Sequence, residues 1–184
     1  MEEMRALTLW PEWAWAVARL GKNVENRTWP PPKTLEPGAR IAIHAGMTFG
    51  GSEARYCGVN TVFNPVIEMA RRSGWRLAVE AAENEVFGYS VRTAMDTVRS
   101  KIHKMQRGAV VAVAKFAGYL GPGQRRVPPG MEGVDLWSWW AQDQFGWILK
   151  DVVTLREPVA CRGKQGLWKL EPAVMHAVLA QVEG

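Results

Sequence analysis

At 184 residues, with 47% hydrophobic and 22% charged, the chain suits one domain with a real core and is too apolar for a disordered tail. Lysine and arginine outnumber aspartate and glutamate by 23 to 18, a formal charge of +5 that favours an anionic partner without naming one. Cys57 and Cys161 are too few for a disulfide framework, no apolar run nears the ~20 residues of a membrane span, and the start MEEMRALTLW is unlike a signal peptide, so a reduced cytoplasmic setting is expected.

In chain order, Arg5 to Leu9 reads as a strand with weak period-two alternation. Pro11 opens a helix where its missing N–H costs nothing, and Gly21 closes it. Asn23 to Trp29 is a second strand, stopped by Pro30-Pro31-Pro32, and Ala39 to Ala45 alternates cleanly as a third. The middle is helical in character. Asn64-Pro65 opens a helix to about Gly74, residues 77–87 form a second, and Val91, Met95, Val98, Ile102 and Met105 mark a third by their 4-3-4-3 spacing. Strand character returns at 109–116, 147–155 and 167–170 around a Gly/Pro-rich loop at 121–134. A short helix capped by Asp135 precedes the fifth strand, and Pro172 opens a closing helix. Strands thus bracket a helical block at 50–107. The expectation is one α+β domain spanning 1–184, a small mixed β-barrel with flanking helices and a helical insertion at 50–107.

Several chemistries are set aside. There is no GxSxG elbow, and Pro158 to Lys164 lacks the first glycine of a phosphate loop. Gly118 to Gly123 is a turn with no helix behind it. His44, His103 and His176 have no metal-ligand spacing, so no metal and no cofactor is expected.

Two stretches carry the chemistry. Leu7-Thr8-Leu9-Trp10-Pro11-Glu12-Trp13 is followed by Gly21-Lys22-Asn23-Val24-Glu25-Asn26-Arg27-Thr28-Trp29, and near the C-terminus stands Arg156-Glu157-Pro158-Val159-Ala160-Cys161-Arg162-Gly163-Lys164-Gln165-Gly166-Leu167-Trp168. Together with Ile43-His44-Ala45, they resemble the ASCH (activating-signal cointegrator homology) family of PUA-like barrels over about 5–45 and 109–170. The insertion lies outside the resemblance. The resemblance implies a PUA-like barrel that binds RNA or other nucleic acid. It also implies an alternative activity, since some small bacterial members are amidohydrolases that remove the acyl group from N4-acetylcytidine. In those members the motif lysine, matched by Lys22, is catalytic and a threonine follows three residues on. Here that position holds Glu25, which leaves it the role of general base on a water, with Lys22 or His44 stabilising the oxyanion.

The residues have their own logic. Alternation puts Glu25, Arg27 and Trp29 on one strand face, with Lys22 at the junction before them. The same alternation sets Arg40 and His44 opposite Ile41 and Ile43, so one apolar face and one charged face are expected. Lys22, Glu25, Arg27, Arg40 and His44 would then line a cleft with Trp13 and Trp29 as base platforms, suited to phosphate, an exocyclic amine and a flat base. One or two of Trp137, Trp139 and Trp140 are further platform candidates, while Trp10, Trp147 and Trp168 are expected in the core. The plainer alternative is that Glu25 and Arg27 form an ion pair that only ties the barrel together. A carboxylate three residues from Lys22 is expected to keep the ammonium charged.

Residues 92–126 hold eight cations against the single acid Asp96. Arg99, Lys104 and Arg107 are therefore candidate phosphate contacts, the alternative being a solvated helix face. The function expected is a module that binds a nucleotide, modified bases included, in RNA or single-stranded DNA. The alternatives are an enzyme on modified nucleosides or a nuclease, with Lys22 and Glu25 catalytic, and a protein-interaction module contacting through the Trp-rich segment.

Overall fold

The alternating apolar runs on either side of the central block pair with one another in a single sheet. The computed structural model describes residues 3–19, 21–48, 106–124, 126–131 and 143–183. In chain order these form β1 (Arg5–Leu9), α1 (Pro11–Arg19), β2 (Val24–Arg27), β3 (Arg40–Ala45), β4 (Ala109–Leu120), β5 (Phe145–Ala160), β6 (Leu167–Lys169) and α2 (Pro172–Val182). The six strands run in the order β2-β5-β4-β3-β1-β6. β1 and β3 are parallel, and the other pairings are antiparallel. The register slips between Ile43 and His44 and at three points along β4–β5. Such bulges bend strands and raise their twist, and the mixed sheet curls into a half-barrel with two helices, an α+β architecture as expected. On β5 the kink includes Asp151 at φ 48, whose carboxylate lies 2.8 Å from Lys115.

Both faces of the sheet are covered. One face packs Leu7, Leu9, Ile41, Ile43, Phe116, Trp147 and Leu149 against Ala14 and Val17 of α1. The other packs Ala6, Ala42, Val110, Val113 and Leu155 against Met175 and Val178 of α2. Each large side chain buried in this way contributes roughly 1.5–3 kcal/mol by hydrophobic transfer. The apolar-and-charged division read from the strand pattern holds only in part: Ile41 and Ile43 lie on the α1 side of β3, while the side of Arg40 and His44 also packs Ala42 into the core under α2.

Strand ends differ modestly from expectation. β2 stops at Arg27, ahead of the prolines, while β4 runs on to Leu120 and β5 spans Phe145 to Ala160. The helices expected at 64–74 and 77–87, most of the one at 91–106 and the short one after Asp135 lie outside the described residues, with most of the 50–107 insertion.

Candidate functional site

The site begins where α1 ends. Gly21 takes φ 69, a left-handed turn that favours glycine, and the Lys22 N–H returns to the Ala16 carbonyl at 3.1 Å. This sets Lys22 at the mouth of β2 with its side chain turned inward. β2 is pinned by its pairing with β5, Glu25 opposite Trp147 and Arg27 opposite Phe145. Directly paired residues share a face, so Glu25 and Arg27 stand on the side of the sheet that carries α1.

These three side chains form one network. Lys22 Nζ donates to Glu25 Oε2 at 2.6 Å and to the Val24 carbonyl. Glu25 Oε1 lies 3.2 Å from Arg27 Nη2, which also donates to the Thr8 carbonyl at 3.0 Å. Lys22 and Glu25 are buried, and Arg27 is partly so. Lys22 Nζ stands 5.7 Å from the Trp13 ring centroid, within cation–π range. Arg27 Nε is buried without a hydrogen-bond partner. A buried donor left in that state usually signals function or a missing partner.

Burial pushes the Lys22 ammonium below the ordinary lysine range; Glu25 opposes the shift and Arg27 adds to it. Glu25 pulls toward the charged ammonium, as expected from the sequence, but desolvation is the larger effect on the pKa because the side chain has left water.

Above the network opens a cleft of about 360 Å³, within the ~300–1,000 Å³ typical of small-ligand sites. Lys22, Glu25 and Arg27 form its floor; Trp10, Trp13, Thr8 and Leu9 form walls, and Asn26 and Gln144 bring amides. Trp10 is 48% exposed and therefore stands at the mouth, not in the core as expected. Its place follows from the exit of β1, where Trp10 accepts the first helical bonds of α1 through its carbonyl while its indole stays outside. Trp147 and Trp168 are buried as expected.

The remaining candidates lie elsewhere. Trp29 packs edge-on against Trp147 at 4.7 Å and backs the Arg27 guanidinium at 5.9 Å, so it supports the cleft without lining it. Arg40 and His44 are not brought into the cleft. They belong with Ala42 on the face that carries α2, where Arg40 pairs with Glu183. His44 Nε2 is 3.1 Å from the Cys161 carbonyl, and its ring meets Trp168 edge-on at 5.8 Å. Strand alternation said which residues of β3 share a side, but not which side of the sheet β2 would match. Arg107 is exposed just before β4, away from the cleft. Arg99, Lys104, Trp137, Trp139 and Trp140 lie outside the described residues.

Asn26 and Gln144 had escaped sequence reasoning. Asn26 sits between two motif residues, and Gln144 directly precedes Phe145, the partner of Arg27, so the pairing of β2 with β5 is the signal that places them. Among the described residues no group of His, Cys, Asp and Glu is arranged to hold a metal, and no helix is long and apolar enough to cross a membrane.

No protein-family model and no curated protein matches the chain. Among solved structures, it is similar to a crystal structure of ASCH from Zymomonas mobilis, with 15% identity over 98% of this chain and 96% of that one, at a TM-score of 0.46. A tyrosine-to-phenylalanine variant of that protein aligns at 14% identity over 96% of each chain, with a TM-score of 0.47. A serine-to-alanine variant aligns at 14% identity over 97% and 96%, with a TM-score of 0.45.

Proposed function

We propose that the cleft over Lys22, Glu25 and Arg27 binds one nucleotide unit of single-stranded nucleic acid, RNA in the first instance. The observation that carries this reading is a buried cation–carboxylate–cation network at the floor of a cleft flanked by Trp10 and Trp13. Indole faces suit any base and contribute about 1–3 kcal/mol per stacked base. Glu25 offers an acceptor to an exocyclic amine such as the cytosine N4 group, and Arg27 and Lys22 offer donors to carbonyl or phosphate oxygens. The basic charge of the whole chain, +5, favours approach of a polyanion. Titration of cytidine and uridine monophosphates, followed by tryptophan fluorescence, tests the reading. Saturable binding with preference for the amine-bearing base supports it, and the absence of binding by either overturns it.

One observation favours a second reading, hydrolysis of an N4-acyl amide. The Lys22 ammonium is pushed down by burial while touching Glu25, so a proton can be accepted and returned within the pair. Incubation with N4-acetylcytidine, followed by its ultraviolet spectrum, distinguishes the two. Turnover lost in Glu25→Gln makes the protein an enzyme, whereas binding without turnover makes it a reader.

A further inference from the structure

We propose that the loop Arg162-Gly163-Lys164 holds a backbone phosphate of the same strand whose base occupies the cleft, an inference that rests on the nucleotide reading above. A second hollow of about 750 Å³ lies beside this loop, lined among others by Thr8, Met47, Arg162, Gly163 and Lys164. Thr8 also lines the first cleft, so the two openings meet at one residue. Its carbonyl takes the Arg27 guanidinium at 3.0 Å, and its Oγ1 takes the Trp168 indole N–H at 3.0 Å. Thr8 therefore ties the floor of the cleft to the strand that follows the loop.

The loop is seated from beneath. His44, 1% exposed, holds the Cys161 carbonyl at 3.1 Å, and its Nδ1 is buried without a partner. Gly163 packs onto the imidazole so closely that a Cβ there would come within 2.5 Å of Cε1, 2.8 Å of Nδ1 and 3.0 Å of Thr8 Oγ1. Only glycine allows that approach, which seats the backbone between Arg162 and Lys164 against the ring. Arg162 and Lys164 are exposed, and neither pairs with a carboxylate among the described residues. Lys164 Nζ rests 5.7 Å from the Trp168 ring centroid. A guanidinium fork and an ammonium on a braced loop suit a phosphodiester, the fork bidentate and the ammonium as a point charge. A strand with one base over Lys22 and Glu25 would cross Thr8 and bring its next phosphate to this loop.

The test compares a single-stranded RNA octamer with cytidine monophosphate on the wild type and on the Arg162→Ala/Lys164→Ala double variant. For the variant the proposal expects weaker octamer binding at low salt and unchanged nucleotide binding. It also expects a salt dependence shallower by about 0.7 in log–log slope for each phosphate that is no longer neutralised. An unchanged octamer affinity and slope, with nucleotide binding intact, overturns the loop assignment alone. A wild type that binds neither probe overturns the cleft reading, and this inference with it.

Discussion

Lys22 Nζ lies 2.6 Å from Glu25 Oε2 while the two side chains keep only 2% and 8% of their surface exposed. Removing one partner from a buried ion pair leaves the other charge uncompensated and costs about 3–5 kcal/mol. Glu25→Ala strands two cations at once, because Arg27 shares the carboxylate at 3.2 Å. A loss in that range is expected by denaturant unfolding. The Lys22→Met/Glu25→Leu double variant should recover at least half of it. Equal losses in the single and double variants would mean that packing, not charge, holds the site.

Trp10 separates binding from folding. At 48% exposure its indole adds little to the core, so Trp10→Ala should change stability by no more than about 0.5 kcal/mol. Loss of a stacking face should weaken nucleotide binding by about 1–3 kcal/mol, roughly 5- to 150-fold. Trp147, fully buried in the core, makes the contrast: Trp147→Ala should cost about 3–5 kcal/mol of stability. Unimpaired binding by a folded Trp10→Ala protein would remove that indole from the site.

Much of this was legible in the sequence. The motif Lys22-x-x-Glu25-x-Arg27 placed the charged network, because a helix stop and a short strand fix those side chains locally. Alternation within β3 separated Ile41 and Ile43 from Arg40 and His44 correctly, as their membership of different packed faces shows. What it left open is non-local. Whether His44 meets Glu25 depends on the strand order β2-β5-β4-β3, which puts two strands between theirs, and on helices covering both faces. The exposure of Trp10 was hidden for the same reason, since strand-like neighbours do not reveal where a strand ends against a helix. The downward push on the Lys22 pKa comes from burial, which no spacing encodes.

His44 gives the protein a pH dependence with a definite sign. Burial lowers its pKa below the ordinary 6.5, the Cys161 carbonyl opposing the shift. Between the lowered value and 6.5, the unfolded chain holds the proton that the folded one lacks, so stability rises with pH there and falls on acidification. One such group contributes at most about 1.4 kcal/mol per pH unit. Unfolding free energies at mildly acidic and neutral pH should therefore differ less in His44→Gln than in the wild type. An identical pH dependence would show that His44 is not the responsible group.

Gly163→Ala probes how the loop is seated. The added Cβ would meet His44 Cε1 at 2.5 Å, and that ring is itself braced against Trp168. Overpacking of this kind costs about 1–3 kcal/mol. The loop rather than the ring is expected to yield, so octamer binding should fall while nucleotide binding in the cleft is kept. A Gly163→Ala protein with wild-type stability and octamer affinity would show that the close approach has no consequence.

The central claim is that Lys22, Glu25 and Arg27 floor a nucleotide site. Isothermal titration of cytidine monophosphate into the wild type and into a folded Lys22→Met variant addresses it most directly. The account predicts saturable heat at one nucleotide per chain in the wild type, lost or weakened at least tenfold, about 1.4 kcal/mol, in the variant. No saturable heat from folded wild-type protein at nucleotide concentrations up to about 1 mM, where a site worth about 4 kcal/mol would half fill, or equal heat from both proteins, would contradict it.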